Sequence, residues 1–206
     1  MKIVPPKINY LEETTLTKCL HDEFNNGVIL KNEDNIVIED LTIDTFKFQN
    51  IDFSTIKISN VSLIDVIFDN CDLSNVSFDN EYLTRVVFQN CKMTGVSFIE
   101  TKLSNISINN SLLKYANFSY SSINNMEIIN SDMSEARFMN LEIKNLKLLD
   151  DKLCKMDIVS SNMKDIDISS CNISNINMDN KSLNGIIIDS MQAIYLVANL
   201  GVKIKE

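Results

Sequence analysis

The sequence predicts an all-β solenoid, a chain wound repeatedly round a narrow apolar core. Three observations carry this reading. Every fifth residue from Ile38 to Ile188 is Ile, Leu, Phe or Met, at 31 successive positions. The residue two before each of these is mostly apolar or small, from Ile36, Leu41, Phe46 and Ile51 through Val76, Cys91 and Ala116. The residue two after it is often Asn, as at positions 50, 60, 70, 75, 80 and 90. A fixed period is the mark of a repeat architecture.

Each observation excludes an alternative. A helix would carry a period of five round its 3.6-residue spiral and spread the apolar residues over all faces. A flat strand would send alternate centres to opposite faces, because five is odd. A short strand and a corner in every five residues satisfies the pattern. The centre and the residue two before it then share one side of the strand and point inward. Asn at the fifth position supplies the corner, since it tolerates turn conformations and bonds its own backbone. The residues in between are Ser, Asp, Asn, Lys and Thr, as a solvent face requires.

The chain divides into three parts. Residues 1–35 are out of frame, with Pro5 and Pro6 against a helix start, and are expected to cap the open apolar end that a solenoid leaves. Residues 36–188 form the solenoid. Residues 189–206 break the frame. Asp189 with Gln192 three residues on reads as a capping box, followed by an apolar run from Met191 to Leu200 and Gly201 as a stop. Val202–Ile204 reads as a short strand. The helix is apolar almost all round, so one face closes the last coil and another needs a partner. Met191, Ile194 and Leu196 are assigned to the coil end. Tyr195, Val197, Ala198 and Leu200 are the expected interface of a homodimer.

Composition narrows the function. The 206 residues carry a net charge of −9, which argues against nucleic acid or an anionic membrane surface as partner. No apolar run reaches the roughly 18 residues of a membrane span, and the N-terminus lacks a signal-peptide core, so a cytoplasmic protein is expected. The five Cys are scattered without a CxxC, and Cys71 and Cys91 read as reduced, buried hydrophobes. His21 stands alone, with no phosphate loop or hydrolase motif elsewhere. No catalytic residue, cofactor or metal is expected. Asp151 breaks an inward ladder and is expected in a bulge or outward turn, because an unpaired buried charge is costly.

The frame resembles the pentapeptide repeat proteins, whose motif is a small residue, Asn or Asp, Leu or Phe, then two polar residues. Cys71-Asp72-Leu73-Ser74-Asn75 and Ala116-Asn117-Phe118 match it. The resemblance implies a right-handed quadrilateral β-helix of about 20 residues per coil, hence about eight coils with a C-terminal helix cap. Bulky Phe46, Met126, Leu141, Leu146 and Met156 stand where the family prefers Ala and imply locally wider coils. At about 4.8 Å per coil the rod is about 37 Å long.

Four sides then become readable as ladders. On the third side, centred on Phe48 to Ile188, Ile67, Val87, Ile129 and Leu149 point outward and form the expected partner surface; on the first, centred on Ile38 to Met178, Ile99, Met139 and Val159 do so. The main functional expectation is a non-enzymatic protein-interaction scaffold. The resemblance implies an alternative, a DNA-mimicking modulator of DNA gyrase or topoisomerase IV that protects against quinolones or related toxins. Residues 36–188 carry 20 acidic against 13 basic side chains, a net −7. That is about a third of the charge of the same length of B-DNA, which holds about one per 1.7 Å.

Overall fold

The structure, a computed structural model, describes residues 2–8, 10–22, 25–33, 36–199 and 202–203. The frame of five is realised in the backbone. From Asp40 to Asn175 almost every fifth residue has φ between +50° and +71°, the left-handed region. Asn and the single Gly95 enter that region at low cost. Each such residue turns the chain, and four turns bring it back above itself. Strand partners are accordingly twenty residues apart, as in Ile38↔Ile58, Phe68↔Phe88 and Ile108↔Ile128. The result is a four-sided parallel β-helix of about eight coils. We number the coils from residues 36–55 to 156–175, with the eighth starting at 176.

The four sides are not equivalent. The second and third are bridged by long strands that run through the corner between them: β2 (Val37–Gln49), β3 (Lys57–Asp69), β4 (Tyr82–Gln89), β5 (Lys102–Asn109), β6 (Ser122–Ile129) and β8 (Glu142–Leu149). With β1 (Asn25–Ile29) they form one seven-stranded parallel sheet in chain order. The fourth side is built from turns and isolated bridges; on the first, β2 and β3 pair at their starts, and β7 (Arg137–Met139), β9 (Asp157–Val159) and β10 (Asn177–Met178) pair further along. Main-chain bonds still link successive coils there, as from Phe98 N–H to Asn117 O at 2.8 Å and from Lys92 N–H to Cys71 O at 2.9 Å.

The core is a set of columns. Phe78, Phe98 and Phe118 stack with ring centroids 5.6 and 4.9 Å apart. Phe138 continues the column but turns edge-on to Phe118, at 76°. Phe48, Phe68 and Phe88 stack in parallel on the third side, 5.2 and 5.1 Å apart. Each of these rings is buried, and each buried side chain contributes about 1.5–3 kcal/mol before the entropy of ordering is counted.

The ends differ from the sequence reading in detail. Before residue 36, β1 already pairs with β2, Ile29 opposite Phe48, so sheet pairing begins one coil early. The helix α1 (Leu16–Asp22) buries Leu16 and Cys19 against this end. At the other end, the short helix α2 (Asn180–Leu183), capped by Asp179, adds one residue to the second side. Ser182 takes the inward place that the frame assigns to Lys181, and accepts the Ser161 N–H at 3.2 Å. In α3 (Ser190–Asn199), Asp189 and Gln192 exchange reciprocal bonds of 3.0 and 2.8 Å, forming the capping box. Met191 and Ile194 do not cover the last coil; they are exposed. Gln192 and Leu196 are buried instead, and the Gln192 amide donates to Ile168 O and Cys171 O. An amide suits this place because it donates to two seventh-coil carbonyls at the point where the eighth coil has ended. Residues 202–203 are not a strand, while Gly201 and Ile204 lie outside the described residues.

Candidate interaction surfaces

Charge is distributed unevenly over the four sides. Counting each corner with the side it ends, the second side balances five acidic against five basic residues and the surface of the fourth balances four against four. The first side carries Glu39, Asp40, Asp79, Glu100, Asp157 and Asp179 against only Lys57 and Arg137, a net −4. More than half of the solenoid's net −7 therefore lies on one side.

The same side carries exposed aromatics. Tyr115 and Tyr120 occupy the two corners that bracket it in the fifth coil, both with φ of +62°, and are 56 % and 60 % exposed. The left-handed region is unfavourable for a large side chain, by about 1–2 kcal/mol. Between those corners lies a column of Ile99, Ser119, Met139 and Val159, with the three apolar members half-buried. Sequence reasoning named the apolar column but passed over the tyrosines. The available signal was a large aromatic standing at a corner position that the frame most often fills with Asn and otherwise with smaller or flexible polar residues.

Of the outward apolar residues expected on the third side, Ile67 and Val87 are adjacent in one column, and Ile129 and Leu149 are adjacent in another. All four are half-buried. The structure does not join the pairs: Gln89, Ser107 and Asn109 lie between them, and the pairs sit toward opposite ends of the sheet.

Inward polar residues follow one rule, visible on the fourth side. Cys91 N–H donates to Ser111 Oγ, and Ser111 N–H to Ser131 Oγ, at 3.0 and 3.1 Å. The corner amide of one coil is thus received by the side chain of the next. Asp151 is the next member of this column and is fully buried, not turned outward. It accepts Ser131 N–H at 2.8 Å and Leu149 N–H at 3.1 Å. Two amide donors hold it inside, and burial raises its pKa to about 6. Cys71 and Cys91, lower in the same column, are free thiols donating to Phe48 O and Phe68 O. The Cys71 thiol beside it and burial both push the Cys91 thiol up, which keeps it protonated. Among the described residues no group of three or more His, Cys, Asp and Glu could hold a metal ion. The side chain of His21 lies outside the described residues.

The coil geometry and its motif meet in the comparison with known families. Residues 61–138 match the family model described as a pentapeptide repeat region. Those residues are a pentapeptide repeat region. The frame and the twenty-residue coil run on from it in both directions. No curated protein matches the chain. Among solved structures it is similar to QnrB1, described as a plasmid-mediated fluoroquinolone resistance protein, with 20% identity, 87% of this chain and 88% of that chain covered, and a TM-score of 0.44. It is also similar to a pentapeptide repeat protein from the Arabidopsis thaliana thylakoid lumen, at 17% identity, 64% and 71% covered and a TM-score of 0.34. A third is Rfr23 from the cyanobacterium Cyanothece, at 15% identity, 60% and 90% covered and a TM-score of 0.33.

Two further surfaces flank the repeat region. An N-terminal strap crosses the corner between the second and third sides: Lys7 N–H donates to Asp65 Oδ1 at 2.7 Å, and Val4 N–H to Asn105 Oδ1 at 3.2 Å. Three residues span two coils, as an extended chain does at about 3.3 Å per residue. Arg85 grips Asp65 through two bonds of 2.5 and 2.7 Å, and this guanidinium holds the Asp65 carboxyl below its usual range. At the far end, α3 exposes Tyr195, Val197 and Ala198 together with Met191 and Ile194. Leu200 lies outside the described residues. No helix among the described residues is long and apolar enough to cross a membrane.

Proposed function

We propose that the protein is a non-enzymatic docking rod whose acidic first side holds a protein partner. The observation that carries this reading is the pair Tyr115 and Tyr120. They are exposed, they occupy backbone positions that disfavour them, and they bracket the side holding the excess negative charge. Local strain kept at an exposed place points to use. Tyrosine supplies large contact area with a polar tip and recurs among interface hot spots. The complementary partner is a basic protein surface with apolar contacts for Ile99, Met139 and Val159.

Such a partner includes any protein that itself binds duplex DNA, and here the resemblance to gyrase-directed proteins applies. A supercoiling assay with DNA gyrase, with and without a quinolone, tests it. The expected result is a change in supercoiling or in quinolone sensitivity that disappears in the Tyr115→Asn, Tyr120→Asn double variant. No effect at micromolar protein removes the topoisomerase and leaves the scaffold reading to other basic partners.

A second copy of the chain is the proposed occupant of the α3 face. Five apolar side chains exposed on a ten-residue helix form a patch, and two-fold self-pairing is the commonest way to cover one. Light scattering should give twice the 23.4 kDa chain mass, falling to that mass in Tyr195→Glu. A wild-type mass of 23.4 kDa at tens of micromolar overturns the homodimer.

A further inference from the structure

The seven-stranded sheet ends at β8, although two more coils follow it. No main-chain hydrogen bond joins Glu142–Leu149 to 161–169, and the latter residues form no strand. Half of the N–H and C=O groups of a parallel strand point to each neighbour. Those that β8 would offer to the seventh coil are therefore left open, although the coils stay linked on the first side by β7 and β9 and on the fourth by Leu153 N–H to Asn172 O. Local packing differs at this coil. Leu141 is a bulky residue in a column otherwise occupied there by Thr101, Ser121 and Ser161, and Leu146 follows at the next corner. The strand carries an irregularity at Asn145, the one corner of the sixth coil without positive φ.

The opening is a groove of about 480 Å³ lined by Ile143, Lys144, Asn145, Asn162, Lys164 and Asp165 among others. Lys144 and Lys164 both line it, at equivalent places of the five-residue frame in successive coils. Neither ammonium has an ion pair or hydrogen bond among the described residues, whereas Lys47, Lys57, Lys92, Lys114 and Lys152 all have a carboxylate within reach. Like charges in neighbouring coils repel. In a chain of net −9, the two unpaired lysines supply the local positive charge, beside main-chain N–H groups that are open along with their carbonyls. Asp165 and, at the rim, Glu142 are the carboxylates that face it, and they do not outnumber the lysines with Lys181 nearby.

We propose that this groove binds an oxyanion, a phosphate or carboxylate group held between Lys144 and Lys164 and capped by the open N–H groups of β8. Charged oxygens receive the strongest hydrogen bonds from such donors, and concave runs of main-chain N–H groups are anion sites in other settings.

The test is amide NMR on the full chain. Without added oxyanion, the β8 amides that face the seventh coil should exchange with solvent faster than the corresponding amides of β6, which pair with the next coil. Millimolar phosphate at constant ionic strength, against a chloride control, should shift these resonances and slow their exchange. The Lys144→Gln, Lys164→Gln double variant should weaken binding at least about tenfold, the loss of two charge-assisted partners. Lys155→Gln, an exposed lysine on a different corner, should not. Citrate in place of phosphate separates a carboxylate from a phosphate preference, and either supports the oxyanion class. Exchange as slow as in β6, no shift with either anion, or a shift retained in the double variant overturns the proposal.

Discussion

β6 and β8 have the same length, the same frame and the same place on the second and third sides, yet only β6 passes its hydrogen bonds to the next coil. The two strands differ in the second-side residue two before the centre. Around β6 the second-side column holds Ser121, whose hydroxyl accepts from Thr101 N–H, and a small inward residue lets the next coil close. Around β8 it holds Leu141. The period of five decides that a coil forms; sealing depends on the neighbouring coil as well, because Leu41 and Phe46 are as bulky in β2 and that strand still pairs with β3 along its length. Close-packed interiors register a change of even one methylene, and here the response is an open edge, with the core beneath it still buried at Met163 and Ile168.

The largest expected effect contrasts the sealed and the open coils. Phe98 is fully buried and stacked on both sides, so Phe98→Ala should cost about 3–5 kcal/mol in urea melts. Leu141→Ala, although it removes a buried side chain, should cost far less, under about 2 kcal/mol, because it relieves crowding and lets β8 pair onward. Equal costs for the two would mean that crowding is not what opens the edge.

The second test uses Asp151, which sits just after the open edge and accepts the Ser131 and Leu149 amides. Burial raises its pKa from the ordinary 3.8 to about 6. The folded state therefore binds the proton more tightly than the unfolded one. Stability from this group is fully present below about pH 4 and is lost as the pH rises through 6. Asp151→Ser restores the hydroxyl that the column uses at Ser111 and Ser131, which receives the amide of the preceding coil or donates to a nearby carbonyl. The variant should be more stable than the parent above pH 6, by on the order of 2 kcal/mol, with the advantage vanishing toward pH 4. A difference that does not change over that range would show that Asp151 titrates normally.

Much of this was legible from residues alone. The coil follows from the unbroken frame, the corners from Asn, and the α3 start from Asp189 and Gln192. What escaped was decided between coils. Asp151 looked unfit for the interior because its partners, the amides of Ser131 and Leu149, are supplied by the turn of the helix and carry no residue signature. The open edge likewise depends on how Leu141 packs against the coils above and below. The strap has no period at all; it is fixed by single bonds to Asp65 and Asn105. The acid excess of the first side could be counted once the coil length was set, and the corner tyrosines could have been found by asking which fifth residues tolerate positive φ.

The smallest effect bears on those corners, and it separates a structural from a functional use of the first side. Asn at a left-handed corner is nearly free of strain, and it also extends the side-chain ladder, as Asn70 does by donating to Asn50 at 2.6 Å. Tyr115 gains little in return from its fold: its hydroxyl meets Glu135 at 3.3 Å and its ring stays mostly in solvent. Tyr115→Asn and Tyr120→Asn should therefore each stabilise the protein, by about 0.5–1 kcal/mol. The two corners are successive but bond to different neighbours, so the gains should add. If the double variant is more stable and still folds to the same strand content by circular dichroism, any accompanying loss of partner binding belongs to the tyrosines themselves. If instead it is destabilised, the tyrosines serve the coil, and the first side loses the feature that marks it as the docking face.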